Sequence, residues 1–78
     1  MKEMMEQWKR NIIRKRYQEE IRIYIELMCE EKNLTKRAFF HQGLLGYIEA
    51  LWNTEIISYK TYERYKKIAT EVYMEVYN

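Results

Sequence analysis

The chain has 78 residues, of which 47% are hydrophobic and 33% charged, and its net charge is +2. This length predicts one domain, residues 1–78, with little room for both a core and an enclosed catalytic cleft. The balanced charge excludes an acidic mimic or a strongly basic nucleic-acid binder, and the hydrophobic share excludes a disordered chain. Apolar residues recur at helical spacing and no proline interrupts them. We therefore expect an all-α fold, a small three-helix or four-helix bundle with a long N-terminal helix.

The first helix is predicted from about Glu3 to Lys32, and its apolar pattern changes partway along. One face carries Met1, Met5, Trp8 and Ile12, and a second face, rotated by about 140°, carries Ile13, Tyr17, Ile21, Tyr24 and Met28. Either the helix bends or breaks near Asn11, or its first third packs against a different body from the rest. From Ile21 to Cys29 apolar residues cover most of the circumference, which predicts that this half is central and buried.

The second helix is predicted to begin after Thr35, a residue type that caps helix N-termini well. Its buried stripe is expected to comprise Phe40, Leu44, Tyr47, Ile48 and Leu51. Gly43, Gly46 and Ala50 lie on a separate side, where small residues would let another backbone approach closely. The alternative is that residues 43–46 form a turn between two short helices, because glycine destabilises a helix interior.

The third helix follows a connection at residues 53–55 and is predicted to be capped by Ser58 or Thr61. Its apolar residues step by three and four along one face: Tyr62, Tyr65, Ala69, Val72 and Val76, with Ile68, Tyr73 and Tyr77 beside them. Charged residues occupy the opposite side. This is the clearest amphipathic helix in the chain, although it is too short to indicate a coiled coil.

Residue types that carry chemistry are few. His41 and Cys29 are the only strong soft ligands, whereas structural zinc needs four ligands at close spacing. Cys29 stands in the most apolar part of the chain, which predicts a buried structural thiol and not a nucleophile activated by His41. The Gly-Leu-Leu-Gly stretch matches no phosphate-binding loop. We therefore expect no enzyme, no metal and no cofactor.

A basic segment lies in the first helix and comprises Lys9, Arg10, Arg14, Lys15 and Arg16. On a helix these charges spread around the axis, whereas a surface that follows a phosphate backbone would form one stripe. One interpretation is a solvated segment whose arginines pair with Glu6, Glu19 and Glu20. The other is contact with nucleic acid or with an acidic protein surface.

About half of the chain, from Leu34 through Gly-Leu-Leu-Gly to Leu51 and on to Ala69, resembles phage-repressor helix-turn-helix domains. The resemblance implies a DNA-binding regulator with its turn at residues 43–46 and its recognition helix from Tyr47. That helix starts Tyr-Ile-Glu-Ala-Leu-Trp and offers no arginine, lysine, asparagine or glutamine to base edges. The motif is therefore a degenerate one.

These patterns predict a small non-catalytic regulator or inhibitor that binds another protein and associates with itself. The expected protein interface comprises Met1, Met5, Trp8, Ile12 and Tyr17, since twelve aromatic residues exceed what a core of this size needs. The alternative is DNA binding through the basic segment and the helix-turn-helix-like half. We expect no membrane association and no small-molecule substrate. A single cysteine and the lack of a long apolar stretch favour the cytoplasm.

Overall fold

Three helices follow one another along the chain. In the computed structural model, which describes the backbone of residues 2–77 and the side chains of residues 6–75, they are α1 (Lys2–Glu30), α2 (Leu34–Asn53) and α3 (Tyr59–Tyr77). The predicted all-α bundle is confirmed, with three helices and not four. The second helix is continuous, so residues 43–46 form no turn. The helix-turn-helix expected at that position is therefore wrong.

The core lies where all three helices meet. Its buried side chains are Ile21 and Met28 of α1, Leu44, Ile48 and Leu51 of α2, Ile57 of the second connection and Ala69 of α3. Half-buried tyrosines surround it, including Tyr62 and Tyr65 of the predicted α3 stripe. The side chains of Val76 and Tyr77, which complete that stripe in sequence, lie outside the described residues.

The N-terminus of α2 is capped by Asn33 and not by Thr35 as the sequence predicted. Asn33 has an extended backbone, with φ of −77° and ψ of 119°, and its side chain accepts a hydrogen bond from the amide of Lys36 at 3.1 Å. Both residue types cap helices well. The cap belongs to Asn33 because the helix already begins at Leu34, which places Thr35 in the first turn.

A buried arginine joins the end of α1 to the start of α2. The Arg37 guanidinium donates to the backbone carbonyl of Glu31, with an Nε to oxygen distance of 2.9 Å. This carbonyl lies just beyond α1, where the last helical carbonyls lose their intrahelical partners. The charged donor therefore ties the carboxyl end of α1 to the beginning of α2.

The start of α3 is set by Ser58, one of the two predicted caps. Its hydroxyl oxygen accepts a hydrogen bond from the amide of Thr61 at 3.2 Å. In the connection before it, Glu55 adopts a left-handed backbone with φ of 62°, and the amides of Ile56 and Ile57 both donate to the carbonyl of Leu51. This tight reversal brings Ile57 into the core.

The C-terminal half of α1 is not the central, all-round buried helix that its composition predicted. Ile21 and Met28 face the core, but Ile23 and Leu27 are 38% and 40% exposed, and Cys29 is exposed as well. The prediction fails because α2 and α3 both lie against one side of α1, which leaves the other side open although it is apolar.

Close packing around the glycines involves a side chain and not a backbone. A Cβ placed on Gly43 would lie 3.3 Å from Cε1 of Tyr24, whereas one placed on Gly46 would meet nothing within 4 Å. Ala50 is exposed. The side of α2 formed by Gly43, Gly46 and Ala50 therefore accommodates a tyrosine ring of α1 at one position and is open at the other two.

Candidate protein-interaction surface

The N-terminal part of α1 extends past its neighbours. The helix has 29 residues against 20 in α2 and 19 in α3, which at 1.5 Å per residue is about 43 Å against about 30 Å. Each side chain of residues 6–11 is exposed, and α1 is unbroken through Asn11. The helix therefore does not break there as one interpretation required, and the side chains of residues 6–11 are exposed.

Trp8 is the largest apolar side chain on this segment and is 66% exposed. Ile12, one turn further along, is half-buried. Of the other predicted interface residues, Met1 and the side chain of Met5 lie outside the described residues. An exposed indole next to an isoleucine on one helix face is typical of a surface that contacts another molecule.

A groove between α1 and α2 is the second apolar surface. It is lined by Glu20, Ile23, Tyr24, Leu27, Phe39, Phe40 and Gly43 and has a volume of about 360 Å³. Phe39 stands at its rim and is 76% exposed. The missing side chain of Gly43 contributes to the opening. We refer to this feature as the α1–α2 groove.

The groove and the N-terminal segment lie along the same side of α1. A shallower depression lined by Ile12, Arg16, Glu19 and Glu20, with Tyr47 of α2, shares Glu20 with the α1–α2 groove. The apolar residues at the two ends, Trp8 and Leu27, are thus joined by a charged middle section that includes Arg16, Glu19 and Glu20. We refer to this surface, from Trp8 to Leu27, as the strip along α1.

Tyr17, predicted as an interface residue, makes its described contacts within the chain. It packs on the core and meets the ring of Tyr65 edge-on, with centroids 6.3 Å apart. Other aromatics do likewise, since Tyr24 lies near Tyr47 and Trp52 stacks on Tyr62. Many of the aromatic residues thus surround the core, and a role for Tyr17 in binding another protein stays a prediction.

The basic segment lies on the surface of the protein. All five of its residues are exposed, and none forms an ion pair with a carboxylate among the side chains the structure describes. Glu19, an expected partner, instead pairs with Arg22, which also binds Glu26. The nearby guanidinium lowers the pKa of Glu19. The predicted pairing of the basic segment with Glu6, Glu19 and Glu20 is therefore wrong.

His41 and Cys29 are placed differently from the sequence expectation. The imidazole of His41 stacks on the ring of Tyr73 with centroids 4.4 Å apart, and burial lowers its pKa, which favours the neutral form. Its Nε2 is buried without a hydrogen-bond partner among the described residues. Cys29 is exposed and not buried as predicted.

The described part of the chain contains no cluster of three or more histidine, cysteine, aspartate or glutamate residues arranged to hold a metal ion. Among the helices as far as residues 2–77 define them, none has the length and apolar character needed to cross a membrane.

Sequence reasoning missed half of this surface. Ile23 and Leu27 were assigned to a buried helix, and Phe39 was given no role. One signal was available, because Phe39 lies about 100° from Phe40 on α2 and therefore outside the predicted buried stripe. Its exposure follows directly from that geometry.

Comparison with known proteins finds no relative of the chain. No family model, no curated protein and no solved structure matches the chain.

Proposed function

We propose that this protein is a non-catalytic interaction module, which regulates or inhibits a protein partner by covering part of its surface and which also associates with itself. The observation that supports the proposal is the strip along α1, with Trp8 66% exposed at one end and the α1–α2 groove at the other. Tryptophan is among the side chains that most often supply a large share of the free energy of protein binding.

Three large apolar side chains of the strip and its groove are exposed, Trp8 by 66%, Leu27 by 40% and Phe39 by 76%. Trp8, Leu27 and Phe39 would gain free energy from removal of their surfaces from water, at about 25 cal/mol per Å². In the isolated chain this stabilisation is not realised. A partner that covered the strip would supply it, which is the physical basis of the proposed binding. The one cysteine, an exposed thiol, fits a reducing cytoplasm.

The direct test is light scattering of the wild type against Trp8→Glu combined with Ile12→Glu. We expect the wild type to associate at tens of micromolar, within the range of ordinary dimer affinities, and the variant to remain monomeric. Phe39→Glu is a second variant, since its exposed side chain is not needed for folding. The matched control is Lys67→Glu, which makes the same net charge change on the outer face of α3.

Binding to a different protein is tested by affinity capture with the same proteins as bait. Partners retained by the wild type and the α3 control but lost with Phe39→Glu and with the double variant would support the proposal. A monomeric wild type that also retains no strip-dependent partner would overturn it.

A second candidate is contact with nucleic acid through the basic segment, which is supported by its exposure and its lack of carboxylate partners in the described chain. Binding of this kind weakens steeply as salt rises, whereas apolar association does not. No affinity for DNA or RNA at low salt would exclude it.

A further inference from the structure

The strip along α1 combines apolar residues with an unequal distribution of charge. At 100° per residue, Trp8, Ile12, Ile23 and Leu27 fall within an arc of about 100°, and this arc is centred about 140° from the core-facing side of the helix. The N-terminal half carries the basic segment. From Glu19 to Glu31 there are five glutamates and one arginine.

We propose that the occupant of this strip is a second copy of the chain, packed with its α1 antiparallel to the first. The inference rests on the proposed function and specifies its partner and geometry. In an antiparallel pair with two-fold symmetry, a residue of one copy lies level with one residue of the other copy. The two residue numbers then add up to the same total all along the helix. A sum of about 35 places Trp8 against Leu27 and Ile12 against Ile23 of the second copy.

The charges fit the same register. Arg16 lies within the arc of the strip, and the antiparallel arrangement places it beside Glu19 and Glu20 of the second copy. Lys9 likewise meets Glu26. Glu20 has no ion pair among the described side chains, so its charge is available to a partner. Arg22 already pairs with Glu19 and Glu26 of its own copy. The segment from Glu19 to Glu31 nevertheless has more glutamates than cations.

Charge complementarity also selects the direction. Of the basic segment, Lys9 and Arg16 lie on the strip, and a parallel pair would bring each of them against the same cation of the other copy, where like charges oppose binding. The antiparallel pair instead sets these two cations against glutamates of the other copy. It also places Trp8 of one copy at the α1–α2 groove of the other, next to Leu27 and near Phe39.

The register is tested by cross-linking single cysteines with a bismaleimide of short reach. Lys9→Cys and Glu26→Cys are made separately in a Cys29→Ser background and then mixed. We expect a product between positions 9 and 26 and no product of either variant with itself, since two copies of position 9 would lie about 25 Å apart. Cross-linking of position 9 to itself would overturn the antiparallel pair.

The central charges are tested by reversal. Arg16→Glu places like charges at the centre of the pair, and we expect the dimer dissociation constant to rise on the order of 10- to 100-fold. Adding Glu20→Arg restores opposite charges and should return the constant to within about threefold of wild type. Lys67→Glu makes the same charge change on the outer face of α3 and should leave the constant unaltered.

The outcomes separate this inference from the proposed function. A wild-type dimer without the 9-to-26 product, or one not rescued by the second reversal, would refute the antiparallel register and leave self-association standing. A monomeric wild type would refute this dimer, while strip-dependent capture of another protein would still decide the proposed function.

Discussion

Both halves of α1 carry large apolar side chains, but their surroundings differ. In the C-terminal half, Ile21 and Met28 are buried against α2 and α3, whereas in the N-terminal half Trp8 is largely exposed. The difference arises because α2 and α3 are each about ten residues shorter than α1. Apolar side chains are therefore buried only where a neighbouring helix runs beside them, and the remaining apolar surface stays exposed.

The largest contrast is expected from truncating one residue in each half. Met28→Ala removes a fully buried side chain and should lower the free energy of unfolding by about 2–5 kcal/mol, because the cavity adds to the lost burial. Trp8→Ala should change it by no more than about 0.5 kcal/mol in the monomer. Urea denaturation at low protein concentration measures both, and equal losses would contradict the comparison.

The connection that follows the C-terminal half of α1 is stabilised by Arg37. Arg37→Leu removes the donors to the Glu31 carbonyl and should cost about 1.5–3 kcal/mol of unfolding free energy. Lys36→Leu changes the same charge at the next, exposed position and should cost much less. If the two variants unfold at the same urea concentration, the guanidinium does not stabilise this connection.

The cap of α2 offers a smaller effect with a close control. Asn33→Ala should destabilise the protein by about 1 kcal/mol, because the amide of Lys36 loses its acceptor. Thr35→Ala, at the cap that the sequence predicted, should stay within about 0.5 kcal/mol of wild type. Thermal unfolding followed by circular dichroism compares them, and a larger loss at Thr35 would reverse the cap assignment.

The smallest effect separates the two glycines of α2. Gly46→Ala adds a methyl group in open space and should stabilise the protein by about 0.5–1 kcal/mol through helix propensity. Gly43→Ala should gain less unfolding free energy, since its Cβ would press on the ring of Tyr24 in the C-terminal half of α1. An equal gain at both positions would show that this ring moves aside freely.

The helices themselves could be predicted from the sequence with little error. The α3 stripe was recognised because Tyr62, Tyr65 and Ala69 keep a regular spacing with charged residues opposite. The side of α1 that faces inward could not be recognised in the same way. Ile23 and Leu27 are as apolar as Ile21 and Met28, and only the positions of α2 and α3 decide between them.

Only part of the candidate site was predicted, again because the sequence does not show where α2 and α3 lie. Trp8 and Ile12 stood out because their face departs from that of the following turns. Phe39 did not, since its contribution depends on α2 passing beside Leu27. The pairing of Arg22 with Glu19 also could not be anticipated, because several cations on α1 lie within reach of the same carboxylate.

The exposure of residues 6–11 has a consequence for their backbone. A short helical stretch with exposed side chains is only marginally stable in water, so we expect its amide hydrogens to exchange with deuterated solvent soon after dilution. Amides beside Met28 should exchange only on global unfolding. If the exchange of residues 6–11 slows as the protein concentration is raised, the exchange rate of each amide would report on self-association at that residue.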